Sequence, residues 1–161
     1  MKKLLTTLVL VPFLAGMVMA MDLGGKLGIG LRADGFSIRK FVNNNIGLDL
    51  SANYDNSTQT GKSDTKNYDY SVGGFWVKEI YEKTFFEAGA TLQGWQGNDN
   101  TGSFYNGLSI NPFVGAECFI NEHVSIDGKF FIGLYNSEMN GATRTTSLDF
   151  LSGNLGAHIY F

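Results

Sequence analysis

The sequence predicts an all-β protein, an eight-stranded antiparallel up-and-down transmembrane β-barrel. Three observations predict this fold. Eight segments alternate apolar and polar residues with the period of two that is typical of β-strands. Short turns and longer polar stretches alternate between these segments, and the last segment ends on an aromatic residue, Phe161. After residue 20 no apolar run is long enough for a membrane helix, so a chain that crosses a membrane must do so as a closed barrel.

The first three predicted strands are residues 23–32, 36–42 and 46–54. In the first and third, leucine and isoleucine occupy one face, and most residues of the other face are polar or glycine. Asp34-Gly35 is a strong signal for a tight hairpin, and the three asparagines at 43–45 predict a second turn. Lys40 interrupts the apolar face of the second strand, so we expect it near a membrane interface or with its ammonium group extended to one.

The other five predicted strands are residues 68–81, 84–95, 107–120, 124–135 and 148–161. Pro112 lies inside the sixth and predicts a bulge or a local kink, because proline cannot donate to a strand ladder. Short turns are expected at 82–83 and 121–123, and polar loops at 55–67, 97–106 and 136–146. Short turns at one end and longer loops at the other are typical of outer-membrane barrels.

The N-terminus has the pattern of a secretory signal peptide. Lys2 and Lys3 precede an apolar stretch at 4–18, and Ala20 precedes the expected cleavage point. The stretch is shorter than the ~20 residues of a membrane span, which disfavours the alternative of an uncleaved anchor. We therefore expect a signal peptide at 1–20 and one barrel domain at 21–161.

Composition limits the possible functions. Removal of Lys2 and Lys3 changes the formal charge from −3 to −5, which disfavours a nucleic-acid partner. Cys118 is the only cysteine and cannot form an internal disulfide. The two histidines and this cysteine show no metal-ligand spacing, and no cofactor motif is present. The expectation is a protein without a metal or cofactor.

The last eight residues resemble the C-terminal assembly signal of bacterial outer-membrane β-barrels. The matching positions are Asn154, Gly156, Ile159 and Phe161. With the signal peptide, the strand count and the loop asymmetry, residues 21–161 resemble small OmpA/OmpX-type outer-membrane β-barrels. The resemblance implies residence in the outer membrane of a Gram-negative cell, contact with outer-membrane lipid and recognition by the barrel assembly machinery during insertion.

The alternation also predicts what lies inside the barrel. If the apolar faces meet lipid, the polar faces fill a lumen too narrow for an open pore. We expect a structural ion-pair network there, since buried charges must be paired. Its predicted members are Lys26, Arg32, Arg39, Asp49, Asp69, Glu87, Glu117, Asp127 and Lys129. Aromatic girdles are expected from Tyr54, Tyr68, Trp95 and Tyr135 at the loop ends, and from Tyr81, Phe85 and Phe161 at the turn ends.

The sequence leaves several functions open. The leading one is a non-enzymatic barrel with a structural or surface-binding role through its three loops. A lipid A-modifying enzyme is an alternative, because His123-Val124-Ser125 resembles part of the His-x-Ser-Asn arrangement of outer-membrane deacylases, although Ile126 stands in place of the asparagine. A small-solute channel and a soluble lipocalin-like ligand carrier are further alternatives. For His158 we expect a structural role, because no hydroxyl partner lies near it in sequence.

Overall fold

The computed structural model describes residues 21–33, 35–57, 64–98, 101–139 and 143–161. The predicted signal peptide at 1–20 lies outside these residues. Eight strands form one closed barrel in which each pairs antiparallel with the next and the last pairs with the first. The strands are β1 (Leu27–Arg32), β2 (Gly35–Asn43), β3 (Ile46–Ser57), β4 (Thr65–Tyr81), β5 (Thr84–Asn98), β6 (Phe104–Phe119), β7 (Val124–Met139) and β8 (Thr143–Tyr160). The predicted fold, an eight-stranded antiparallel barrel, is confirmed.

The strands extend far into the segments that the sequence predicts as loops. Residues 55–57 and 65–67 belong to β3 and β4, 97–98 and 104–106 to β5 and β6, and 136–139 and 143–146 to β7 and β8. The prediction of loops at 55–67, 97–106 and 136–146 was therefore wrong at both ends of each segment. Most residues of these ends are polar, so the ends lack the apolar alternation by which a strand is recognised, yet their backbone pairing continues.

The chain enters the barrel later than predicted, because residues 23–26 form a turn. Gly25 has a φ of +84°, a conformation that favours glycine, and the Lys26 amide donates to the Leu23 carbonyl at 3.1 Å. The Leu23 and Gly24 amides both donate to the Asn44 side-chain oxygen. Leu23 is thereby inserted into the barrel with no exposed surface, whereas the sequence had placed it on the outer face.

Part-way along β8, the outward-facing positions change from even-numbered to odd-numbered residues. Phe131 pairs with Ser152 but Ile132 pairs with Phe150, so β8 carries one extra residue at this point. Odd-numbered residues face outward after this bulge, whereas Leu148 faces outward before it. Pro112 lies close by on β6. There the pairing with β7 is interrupted between Ile110 and Phe113 without a change of register, so the predicted irregularity at the proline is a break rather than a bulge.

The barrel has an apolar outside and a polar centre. Leucine, isoleucine, valine and aromatic side chains of all eight strands are more than a third exposed on the outer face. The inner face holds three cations and four carboxylates with 8% exposure or less, namely Arg32, Arg39, Lys129, Asp49, Glu87, Glu117 and Asp127. A soluble barrel has the opposite arrangement, with an apolar interior and a polar outer face.

The wall of the barrel is low on one side. β1 and β2 have 6 and 9 residues, whereas β4 to β8 have 15 to 18. Pairing of β8 with β1 ends at Gly156, and pairing of β3 with β2 ends at Ala52. Residues 143–154 of β8 and 53–57 of β3 therefore pair with no described residue of the β1–β2 hairpin. We call this gap in the wall, above the hairpin and between β8 and β3, the notch.

Candidate functional site

Arg39 lies at the centre of the barrel and contacts carboxylates from four other strands. Its side chain has no exposed surface. The guanidinium is 2.8 Å from Glu87 Oε1 and 2.7 Å from Glu117 Oε2, and it is 3.2 Å from Asp49 Oδ2 and 3.6 Å from Asp127 Oδ2. Alternation explains this convergence, because inward-facing residues at one level of a narrow barrel must meet across its axis.

Lys129 and Arg32 extend this network through Asp49. Lys129 Nζ is 2.8 Å from Asp49 Oδ2 and 3.7 Å from Glu87 Oε2, and Arg32 Nη1 is 3.2 Å from both Asp49 oxygens. Three cations thus share four carboxylates, and all seven residues are at most 8% exposed. Removal of one member would leave a buried charge without its partner, so the network links six of the eight strands, β1, β2, β3, β5, β6 and β7.

Two other predicted members lie at different levels of the barrel. Lys26 is at the turn end, where its ammonium group donates to the Glu122 carbonyl at 2.7 Å. Lys26 precedes β1, so the alternation of inward-facing and outward-facing residues within a strand does not place it in the lumen. Asp69 does face inward, but it lies nearer the loop end and lines a cavity there. The structure brings together the other seven, Arg32, Arg39, Asp49, Glu87, Glu117, Asp127 and Lys129.

His158 has a hydroxyl partner that the sequence did not reveal. Ser37 Oγ is 2.8 Å from His158 Nε2, and His158 Nδ1 is 3.0 Å from Asp127 Oδ1. The three residues have the order of a Ser-His-Asp triad. Ser37 has no exposed surface, however, and it does not line the loop-end cavity. A substrate has no route to its hydroxyl in this structure, and the three side chains instead connect β2, β7 and β8.

The His123-Val124-Ser125 resemblance does not form a site. His123 Nδ1 is 3.1 Å from the Tyr160 carbonyl oxygen, on the exposed turn side. Ser125 is buried and donates to Glu117 Oε1 at 2.5 Å, beside the Tyr160 hydroxyl, which donates to the same atom at 2.6 Å. His123 and Ser125 therefore form hydrogen bonds with different residues. In the described parts of the chain, no group of three or more histidine, cysteine, aspartate or glutamate side chains could hold a metal ion.

An apolar layer closes the turn half of the lumen, and the sequence had not predicted it. Its members are at most 4% exposed: Leu23, Phe41, Phe75, Val77, Phe85, Phe113, Phe119 and Tyr160. The Lys129 ammonium group is 4.5 Å from the Phe113 ring centre, and the Arg39 guanidinium is 4.9 Å from that of Phe75. These cation–π contacts join the charged network to the apolar layer.

This layer corrects part of the predicted girdles. Phe85 belongs to it and does not face lipid. Trp95 and Tyr135 are half-buried and in mutual ring contact at 5.7 Å, and Tyr135 lines the loop-end cavity, so both face the interior. Tyr81 is half-buried, and it pairs with Thr84 after a register shift that follows Glu79, so strand alternation from Val77 does not assign its face. The outer positions of Tyr54, Tyr68 and Phe161 agree with the prediction, at 53%, 44% and 73% exposure.

A polar cavity of about 260 Å³ occupies the loop half of the lumen. Arg32 lies at its edge nearest the charged network, and serine, threonine, asparagine and glutamine side chains from β3 to β6 and β8 line most of it. Ser51 and Ser71 form a hydrogen bond of 2.7 Å across two of these strands. The lumen thus has two unlike halves, one filled by charges and rings and the other open and polar.

The predicted assembly signal lies at the seam where the barrel closes. Phe161 and Leu27 exchange backbone hydrogen bonds of 2.9 and 3.3 Å. Ile159 and Phe161 point outward with 52% and 73% exposure, while Asn154 and Gly156 have the inward parity of His158. The signal therefore combines an outer apolar pair with an inner polar face on one strand.

Comparisons with known proteins find no family for the chain and a distant likeness to two solved structures. No protein-family model matches it, so none supports the predicted OmpA/OmpX-type membership. No curated protein matches it either. The structure resembles the crystal structure of Acinetobacter baumannii CarO, with 11% identity, a TM-score of 0.46 and coverage of 91% of this chain and 99% of that chain. It also resembles that of Acinetobacter baumannii CarO2, with 12% identity, a TM-score of 0.39 and coverage of 89% and 100%. At these values the likeness carries no argument about function.

Proposed function

We propose that this protein is an integral outer-membrane β-barrel without an enzymatic activity or an open pore. The observation that carries the proposal is the reversed polarity of the barrel, apolar outside and charged inside. In water, an outer face of this kind exposes far more contiguous apolar surface than a soluble monomer tolerates. In lipid the same face is stabilised, and the closed ladder leaves few backbone groups without a hydrogen bond. The reversed polarity also argues against a soluble lipocalin-like carrier.

Heat-modifiable gel mobility tests this proposal. Protein extracted from outer membranes with detergent should migrate faster when unboiled, because a folded membrane barrel resists unfolding at room temperature. Boiling should return it to the mobility expected for its mass. Recovery of the protein in the soluble fraction, with the same mobility before and after boiling, would contradict the proposal.

The filled lumen supports the absence of a pore. A solute that crosses the barrel would have to pass both the network around Arg39 and the apolar layer around Phe75 and Phe113, whose members are all at most 8% exposed. We therefore expect planar-bilayer conductance equal to that of protein-free membranes. Stepwise channels at a fixed conductance would refute the closed state and favour the small-solute channel.

The rim supports a structural or surface-binding role. Strands β4 to β8 exceed the ~9–11 residues that cross a bilayer, so their loop ends project into water. Projecting strands give the rim a paired, rigid base. Shortening the connections between β3 and β4, β5 and β6, and β7 and β8 should preserve folding and remove any binding of whole cells to a surface partner. Loss of folding would contradict a role confined to the rim.

The enzyme alternative is disfavoured by burial. Ser37 and Ser125, two serines near a histidine, have no exposed surface. Lipid A from cells that overproduce the protein should have an unchanged mass spectrum, and a lost acyl chain would favour the enzyme alternative again.

We also propose that the barrel assembly machinery recognises Asn154, Gly156, Ile159 and Phe161 during insertion. Deletion of Phe161 should lower the amount of protein in the outer membrane while urea-denatured protein still refolds in detergent.

A further inference from the structure

We infer that the loop-half cavity is a binding site for a small, uncharged, hydroxyl-rich ligand of the saccharide class, reached through the notch. The inference rests on the proposed membrane orientation, and goes beyond it by assigning a ligand to the lumen. Three features of the structure support it: buried acceptors without donors, the composition of the lining and the low wall.

Two side-chain oxygens on this cavity have no hydrogen-bond donor among the described residues. Asn111 is 3% exposed, and its amide group donates to Gln93 Oε1 and Ser109 Oγ, each at 3.0 Å. Its Oδ1 atom is buried and accepts nothing, and the same holds for Asn154 Oδ1. Both residues line the cavity. A buried acceptor without a partner is costly, so a molecule that donates hydrogen bonds belongs here.

The lining selects a neutral, polar molecule. Arg32 and Asp69 bring one charge of each sign to the cavity, and Arg32 also pairs with Asp49. Thr91, 6% exposed, adds a hydroxyl, and Phe131 and Tyr135 add aromatic surface. Amide, hydroxyl and aromatic groups together match the hydroxyls and the apolar ring face of a sugar. The volume of about 260 Å³ equals about nine waters at ~30 Å³ each, which is enough for one sugar ring.

The notch gives this cavity a lateral entrance. Arg32 ends β1 at the floor of the notch, and residues 152–154 of β8 form one side of it while Asn53 of β3 forms the other. All five of these residues line the cavity. Because β1 and β2 are short for a membrane strand, the notch lies at the level of the outer leaflet or its headgroups. The sugar can therefore come from the water phase or from the headgroup of a glycolipid.

Fluorescence of Trp95 measures occupancy of the cavity. Trp95 contacts Tyr135, which lines the cavity, and the W76F variant leaves Trp95 as the only tryptophan. Protein in phosphatidylcholine nanodiscs is titrated with D-galactose in buffer or, in a second arm, with monogalactosyl diacylglycerol in the bilayer. We expect a saturable change in emission in at least one arm. The arm that saturates identifies the source, and no saturation in either arm overturns the inference.

Two variants test the position of the site. Asn111→Leu should weaken binding roughly three- to tenfold, the usual effect of one lost hydrogen bond. Asn106→Leu, the same change on the outer side of β6, should leave binding unchanged. If Asn111→Leu does not refold, Thr91→Val, which keeps the side-chain shape, should give a loss of the same order. Unchanged affinity for the sugar in the refolded variant would overturn the proposed site. If the W76F protein shows no heat-modifiable mobility, the result would instead refute the proposed membrane orientation of the barrel.

Discussion

Side chains fill the turn half of the lumen but leave a cavity in the loop half. In the turn half, Arg39 contacts four carboxylates and the rings of Phe75 and Phe113 lie against its charged layer, so little space remains. In the loop half, short polar side chains surround a cavity and two amide oxygens accept no hydrogen bond. The difference indicates that stability is concentrated in the turn half, while the loop half is free to bind.

The largest effect should come from the centre of the turn half. Arg39→Met removes the cation shared by Asp49, Glu87, Glu117 and Asp127 and leaves their charges underpaired. Breaking a buried pair of this kind costs about 3–5 kcal/mol. The measurement is urea unfolding of the protein in lipid vesicles. Lys40→Met is the matched control, since Lys40 is the next residue, is exposed and donates to the Gly25 carbonyl.

For Lys40→Met we expect a change below about 1 kcal/mol, because exposed charges contribute little. Equal losses for the two variants would show that the Arg39 network does not stabilise the turn half.

Replacement of one serine in each half compares how much the two halves contribute to the free energy of unfolding. Ser125 is buried and donates to the Glu117 carboxylate at 2.5 Å, so Ser125→Ala should cost about 1.5–3 kcal/mol. Ser51 is half-buried beside the cavity and bonds the Ser71 hydroxyl at 2.7 Å, so Ser51→Ala should cost about 0.5–1 kcal/mol. The same unfolding measurement applies. A larger loss at Ser51 than at Ser125 would reverse the assignment of the two halves.

A pair of glycines gives the third test. Gly47 faces inward, and a Cβ atom there would overlap the Phe75 ring, whereas Gly74 faces outward and its nearest neighbour would be Leu48 at 4.0 Å. Gly47→Ala should therefore lower the free energy of unfolding by about 1–3 kcal/mol through overpacking. Gly74→Ala should leave it unchanged or raise it slightly, since glycine is the costlier residue in a strand. A neutral Gly47→Ala would mean that the apolar layer is loosely packed.

Much of this architecture follows from strand parity alone. The alternation placed Arg39, Asp49 and Glu87 on inner faces, and the structure brings them together. Parity fails where it meets an irregularity. Because of the bulge in β8, Leu148 and Leu155 both face outward although one number is even and the other odd. The turn at Gly25 directs Leu23 inward, and neither feature could be deduced from the period of two. Lys26 was misplaced for the same reason.

The rest of the interior depends on contacts distant in sequence. Ser37 and His158 are 121 positions apart, so no local pattern joins them. The inner phenylalanines, such as Phe85, could not be told from an interfacial girdle, because an aromatic residue near a strand end fits either position. The strand ends at 136–139 and 143–146 are typical of a loop in sequence, because all their residues except Met139 are polar.

The central claim is that the outer face of this barrel meets lipid and its inner face does not, and the two tryptophans test it directly. Trp76 is 44% exposed on the outer face, whereas Trp95 faces the interior against Tyr135. Single-tryptophan variants, W95F and W76F, are refolded into vesicles of ordinary or brominated phosphatidylcholine, whose bromine atoms quench tryptophan fluorescence on contact. We predict strong quenching of Trp76 and weak quenching of Trp95. Equal quenching of both, or none of Trp76, would contradict the account.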